Sequence, residues 1–301
     1  MIWLGEKRGS LSDWVTQQWV RTTGRRIILP DNDWLNGPIG DTRLIGKDFF
    51  TRYAETAGLE ILRGGCRGLI EDFSDLSGSC ADLNDVSAAV RDFYERTSEY
   101  ELDAWSEWHG FFRPFGRGLA VLFSRRLQQL NVPLSSLDIS KGMSSTVIQL
   151  RDPQSGRVIQ AGWIRELHAT RNVLYAGSYS ICTVPGHSGP CVKVVFPLPN
   201  GNAIILMKPE AHNDGSFSLI SAGRVFGDPG FYFVVHGENK TAWARYLRGL
   251  QETIHVYSAE RGTVRADHFL RMWGKEFLRL HYRMRTAADV QGAHPEVMNI
   301  A

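Results

Sequence analysis

The sequence predicts an α+β protein: a largely helical N-terminal half, then a C-terminal antiparallel curved sheet or open barrel with a long C-terminal helix packed on it. Three observations predict it. Before residue 131 the apolar residues recur at helical spacing, as Val86, Ala89, Val90 and Phe93 do. From residue 146 apolar and polar residues alternate instead, which is the period of a half-buried strand. Turn signals then divide the second half at short intervals, the clearest being Asp152-Pro-Gln-Ser-Gly156 and Pro199-Asn-Gly-Asn202.

The elements follow in order. A short helix over 12–19 ends before Gly24, and a strand over 25–29 is stopped by Pro30. Residues 31–41 carry Asn, Gly and Pro and read as loop. Phe49, Phe50, Tyr53 and Ala57 form one face of a helix that Gly58 terminates. Residues 63–84, rich in Gly, Ser, Asp and Cys, read as a linker, so the chain divides into an N-terminal segment 1–85 and an α+β domain 86–301. A helix starting at Asp85 and a second over 115–130 come next. Strands are expected at 146–150, 157–167, 173–182, 191–198, 203–208, 217–221, 231–235, 254–257 and 263–267. A short helix over 241–251 interrupts them. The last helix, 268–285, turns Phe269, Trp273, Phe277 and Leu280 toward the sheet.

Composition narrows the function classes. The 301 residues are 43% hydrophobic and 22% charged, enough for a sizeable core. Thirty-four basic against 32 acidic residues argue against a nucleic-acid partner. No apolar run is long enough for a transmembrane helix, and the first residues turn charged after Leu4, unlike a signal peptide. Four cysteines make no disulfide framework, which together with those features points to the reducing cytoplasm. No cofactor motif appears, and no cofactor is expected. Fifteen Phe, nine Trp and nine Tyr suit a large core or a cavity for an apolar or aromatic small molecule.

Several motifs approach known chemistry and stop short. Gly186-His187-Ser188-Gly189-Pro190 nearly spells a nucleophile elbow, but its last position is Pro and a strand-like run follows where a helix is needed. Cys182, His187 and Cys191 offer three local zinc ligands where a structural site takes four, so no metal is expected. Asp31-Asn32-Asp33 resembles a metal-binding acidic pair but lacks an α/β nucleotide domain around it. Asp92, Glu95, Glu99, Glu101 and Asp103 lie near Trp105 and Trp108 and read as a solvated helix face. Hairpin pairing brings His255 near Asp267, an acid/base pair in outline, although Asp267 before His268 also reads as a helix cap. Arg271, Lys275, Arg279 and Arg283 give the last helix a basic stripe suited to an anionic surface.

The turn Gly227-Asp-Pro-Gly230 between aromatics is the preferred site. Arg224 is the expected anchor for a carboxylate or phosphate, Asp228 its support and Tyr232 a donor to a ligand oxygen. The candidate catalytic residues are accordingly Asp228, Tyr232, His255 and Asp267. The expected function is binding of, or catalysis on, an apolar or aromatic small molecule in a cavity between helices and a curved sheet. The alternative is a non-catalytic module docking on an anionic surface through its last helix.

Three fragments, Val90-Arg-Asp-Phe-Tyr94, Gly162-Trp-Ile-Arg165 and the closing His255-Val-Tyr257, Gly262-Thr-Val-Arg-Ala-Asp267 and Leu280-His-Tyr282, carry a resemblance. In their order the chain resembles an uncharacterised bacterial domain family often found fused behind saccharopine-dehydrogenase-like reductases. The resemblance spans residues 86–282 and implies a bacterial origin and a compact α+β module. It implies no catalytic residue.

Overall fold

Residues spaced two apart along the second half bury one side chain and expose the next, and hydrogen bonding between neighbours turns them into one very large antiparallel sheet. The computed structural model describes residues 11–40, 47–78, 82–109, 143–167 and 173–286. Its helices are α1 (Leu11–Thr23), α2 (Phe49–Ala57) and α3 (Ala88–Glu95). Its early strands are β1 (Arg25–Ile28), β2 (Glu60–Leu62), β3 (Tyr100–Trp108), β4 (Met143–Arg151) and β5 (Val158–Leu167). The long hairpins β6 (Val173–Val184), β7 (His187–Leu198) and β8 (Gly201–Ala211) follow. The chain then forms β9 (Phe217–Ser221), β10 (Phe231–His236), β11 (Thr241–Tyr246), β12 (Leu250–Ser258), β13 (Val264–Met272) and β14 (Lys275–Thr286).

The fourteen strands form one sheet, eleven of them in the order β2-β4-β5-β6-β7-β8-β9-β12-β13-β14-β3. β8 is the branch point. Its first half, from Gly201 to Ile205, pairs β10, which continues to β11 and β1. Its second half, from Lys208 to Ala211, pairs β9 and leads to the β12–β13–β14–β3 half. At the far edges β3 comes alongside β4, so the sheet curls round on itself. The first 85 residues supply two edge strands, β1 on β11 and β2 on β4.

Three apolar clusters hold this arrangement. The largest lies inside the curl, where Phe217 meets Phe73 at 5.1 Å and Tyr94 of α3 at 5.5 Å. The second covers the outer face of β10 and β11 with Trp34 and Leu35. The third packs α2 on β4 and β5, with Phe50 lying against Gly162 so closely that a Cβ there would meet its ring at 2.6 Å. The helix stops and starts are local. Gly58 ends α2 in the left-handed region at φ 68°, and the Ser87 hydroxyl caps α3 by accepting from the Val90 N–H.

The strands expected from residue 146 are present, but the fold class departs from expectation. Among the described residues there is neither a helical N-terminal half nor a long C-terminal helix; strands make up 52% of them and helix 20%. The reason lies in the 268–285 stretch. Its apolar residues at 269, 273, 277 and 280 match a helix only if no turn intervenes. A hairpin turn at Trp273 and Gly274, both with positive φ (50° and 78°), resets the phase. Before it Ala266, His268 and Leu270 face inward; after it Leu278, Leu280, Tyr282 and Met284 do. Trp273 stands 77% exposed at the tip. Residues 241–251 form β11 and the start of β12 rather than a helix. Of the acidic stretch 92–103, Asp92 and Glu95 lie on α3, whereas Glu101 and Asp103 lie on β3 rather than on a helix face. The expected helix over 115–130 and the tail after 286 lie outside the described residues.

The basic stripe dissolves with the helix. Arg283 and Arg285 both reach Asp103, at 2.6 and 3.2 Å, and Arg279 reaches Glu276 at 2.8 Å. The helix expected to carry docking on an anionic surface is therefore absent: these residues lie on the β13–β14 hairpin, where Arg283 and Arg285 meet a carboxylate of β3 and Arg279 one of its own strand.

Candidate functional site

The two halves of the sheet enclose a cavity of ≈ 570 Å³ with predominantly apolar walls. Register decides which side chains reach it. On β5, Trp163 and Arg165 point inward two residues apart; on β6, Tyr175 and Tyr179 do so four apart. Phe196, Phe231 and Phe233 extend the wall from β7 and β10. From the opposite half come Glu252 on β12, His268 on β13 and Tyr282 on β14.

The polar groups converge on Arg165, which is only 8% exposed. Its guanidinium carbon lies 3.6 Å from the Trp163 ring centre, 4.9 Å from Tyr175 and 5.2 Å from Tyr282. Aromatic faces thus carry a buried cation that would otherwise be costly. The Tyr175 hydroxyl donates to the Tyr179 hydroxyl at 2.8 Å. Burial pushes Tyr175, Tyr179 and Tyr282 well away from phenolate formation, although the neighbouring Arg165 charge pulls each the other way. All three remain neutral hydrogen-bonding groups at physiological pH.

Across the cavity, Glu252 Oε1 lies 2.6 Å from His268 Nε2, both side chains deeply buried. They are diagonal neighbours, since Glu252 pairs Leu270 and His268 pairs Ile254. Ser221 holds the backbone beneath them by accepting from the Glu252 N–H at 3.0 Å. His268 stacks on Tyr282 at 6.3 Å, so Tyr282 links the dyad to the arginine. A carboxylate, an imidazole, tyrosine hydroxyls and a guanidinium inside an apolar cavity can orient a ligand and can exchange a proton with it.

The residues singled out from sequence lie elsewhere. Arg224 is exposed and does not line this cavity. The Asp228 carboxylate accepts from the backbone N–H groups of Arg224 and Val225 at 2.8 and 3.0 Å. Tyr232 is 1% exposed, packs edge-on to Trp34 at 5.2 Å and donates to the Asp228 carbonyl at 2.6 Å. The three form a turn lock on the outer face; the flanking Phe231 and Phe233 are the ones that face the cavity. His255 and Asp267 do pair in register, but their side chains bond elsewhere. His255 Nδ1 meets the Ser218 hydroxyl at 3.0 Å, and Asp267 meets His281 Nδ1 at 2.5 Å, all on the outer face.

The near-miss motifs also resolve. Residues 186–190 connect and begin the β6–β7 hairpin, where the elbow would need a helix. Cys182 and Cys191 face each other across that hairpin as free thiols, pushed up to about 11 and about 12 by burial. Among the described residues no cluster of three or more His, Cys, Asp or Glu could hold a metal. Asp31 and Asp33 belong to two short 3-10 turns joined at Asn32, the second of which contains Trp34.

Burial also lowers the pKa of His187, His236 and His255; a neighbouring histidine adds to the effect at His255. The folded chain therefore holds these rings neutral, while the unfolded chain protonates them near the ordinary value of about 6.5. Stability is full above that pH and falls as the pH drops below it. A lower urea midpoint at pH 5.5 than at pH 7.5 is the expected result. His236, whose Nε2 is buried without a hydrogen-bond partner among the described residues, is the ring to isolate. His236→Leu should flatten the slope, and an unchanged slope would refute the assignment.

An antiparallel β structure curled around an apolar cavity with a buried cation defines the class of this protein. Over 220 residues the chain is 26% identical to the uncharacterized membrane protein YndJ of Bacillus subtilis (strain 168), a match covering 71% of this chain and 37% of that protein. The chain thus spans little more than a third of its relative's length. No family model matches it, and no solved structure matches it. Among the described residues no helix is long and apolar enough to cross a membrane.

Proposed function

We propose that this chain binds an apolar small molecule in the cavity between the two halves of its curved sheet. The observation that carries the reading is the ≈ 570 Å³ apolar cavity with a few convergent polar groups on its wall. Small-molecule sites typically occupy about 300–1,000 Å³ and have this composition. The relative's name places that protein in a membrane, a setting rich in apolar ligands.

Binding of the neutral fluorophore 1-aminoanthracene tests it. The expected result is saturable binding with a blue shift and loss of that binding in Ala203→Trp. Ala203 stands between Phe196 and Phe233 in register on the cavity wall, where a large ring occupies the space. Absence of saturable binding to the folded wild type would sink the reading.

The Glu252–His268 dyad favours a second reading, chemistry on the bound molecule. It requires that a molecule recovered from the wild-type protein be altered in mass and that Glu252→Gln return it unaltered. Identical recovery from both would leave binding alone.

A further inference from the structure

We propose that the ligand is an amphiphile whose head is a single carboxylate seated on Arg165, an inference that rests on the cavity reading above. Three observations lead there. The first is that Arg165 is 8% exposed, yet among the described residues no carboxylate comes within ion-pair distance of it. The second is that its Nε is buried and lacks a hydrogen-bond partner among the described residues. The third is that its flat faces are already covered, by Trp163 at 3.6 Å and by Tyr175 and Tyr282 farther out.

A guanidinium stays charged at any physiological pH, so it cannot shed the cost of burial by losing its proton. Stacking satisfies the faces and the Tyr282 hydroxyl takes one hydrogen bond, which leaves the Nε edge. What fits a donor edge is a planar anion that accepts two parallel N–H bonds, and a carboxylate does so. The other charged groups on the wall are Asp13, Glu252 and His268. Asp13 comes from α1, which packs on β10 and β11. Glu252 is engaged by His268 at 2.6 Å. With Asp13 and Glu252 already on the wall, a monoanion adds the least buried negative charge, whereas a dianionic phosphate would add a second one beside Glu252. The remaining wall, with Phe196, Phe231, Phe233 and Leu280, suits a hydrocarbon or aromatic tail.

Displacement of 1-aminoanthracene by dodecanoate and by dodecan-1-ol, which share a tail and differ in the head, tests the inference. The wild-type protein is expected to bind the acid about 10- to 100-fold more tightly than the alcohol, the range for a hydrogen-bonded charged group. Arg165→Met is expected to bring the acid down to the level of the alcohol. Arg165→Lys keeps the charge without the fork and should retain part of the preference. Equal binding of acid and alcohol by the wild type overturns the carboxylate assignment while leaving the cavity reading intact. A preference that survives in a folded Arg165→Met moves the anion site elsewhere and also overturns it. If neither compound displaces a probe that does bind, the assignment again fails; if the probe itself does not bind, the cavity reading has failed first. The wild-type comparison decides the matter even if the Met variant does not fold.

Discussion

Gly201→Ala is expected to destabilise the fold by about 3 kcal/mol or more, enough to consume much of an ordinary domain's stability. Gly201 opens β8 and pairs Val235 of β10. A Cβ there would lie 2.0 Å from the Val234 carbonyl oxygen and 3.0 Å from its carbon. Both are backbone atoms of a paired strand, so no side chain can rotate away. Relief requires β10 to withdraw from β8 at the point where the sheet branches, breaking ladder hydrogen bonds that carry β11 and β1 as well. Gly64→Ala is the control. Unlike Gly201 it stands at positive φ, 74°, and a Cβ there meets nothing within 4 Å. It should cost only about 1–2 kcal/mol, the penalty of the left-handed backbone. Urea denaturation of the two variants checks the difference. Equal losses would mean that β8 and β10 are not so closely apposed.

The sheet was legible in the sequence wherever a turn residue fixed the phase of alternation. Asn200, at φ 60°, closes the β7–β8 hairpin between strands read from their apolar alternation. The α2 helix was legible because Phe49, Phe50 and Tyr53 recur at helical spacing and Gly58 ends it, although Ala54 rather than Ala57 completes the buried face. The errors arose where period and chemistry disagreed. In β3 the inward residues Tyr100, Leu102, Ala104 and Ser106 alternate with Glu101, Asp103, Trp105 and Glu107. The acidic members drew the reading toward a helix surface, although the period of two was present. In β13 and β14 a Trp-Gly turn without Pro or Asn hid the reversal, and four arginine or lysine positions at intervals of four imitated a helical stripe.

The site was less legible than the fold, for a physical reason. Trp163, Arg165 and Tyr282 were visible as fragments of short motifs, yet they meet only because β14 closes over β5 when the sheet curls. Burial of Glu252 and its 2.6 Å approach to His268 follow from the β12–β13 register, which sequence alone leaves open. Conversely, Asp228 and Tyr232 attracted notice because the Gly227–Gly230 turn is conspicuous. The turn uses their polarity for itself: both of the Asp228 carboxylate's hydrogen bonds and both of the Tyr232 hydroxyl's end on its own backbone. A single inward-facing Arg flanked by Trp on one strand, opposite Tyr on the next, is the signal that would have found the cavity.

Trp163→Ala is the second large effect expected, a loss of about 3–5 kcal/mol in stability. The indole is 4% exposed, meets Tyr175 at 5.6 Å and Tyr179 at 5.7 Å, and donates from Nε1 to the Ser145 hydroxyl at 2.9 Å. Its removal leaves a void on the cavity wall and strips the nearest face from the Arg165 cation. Two costs therefore combine: lost packing, and a buried charge with fewer contacts. Trp163→Phe separates them, because phenylalanine keeps an aromatic face under the guanidinium and loses only the indole's extra area and its hydrogen bond. A loss of about 1–2 kcal/mol is expected for it. Adding dodecanoate should restore part of the stability of Trp163→Phe, since a ligand that binds only the folded chain raises the midpoint by mass action. The same addition to Trp163→Ala should restore less, the anchor no longer being held in place. If both variants lose the same stability and respond alike to the ligand, Trp163 only fills space and does not position Arg165.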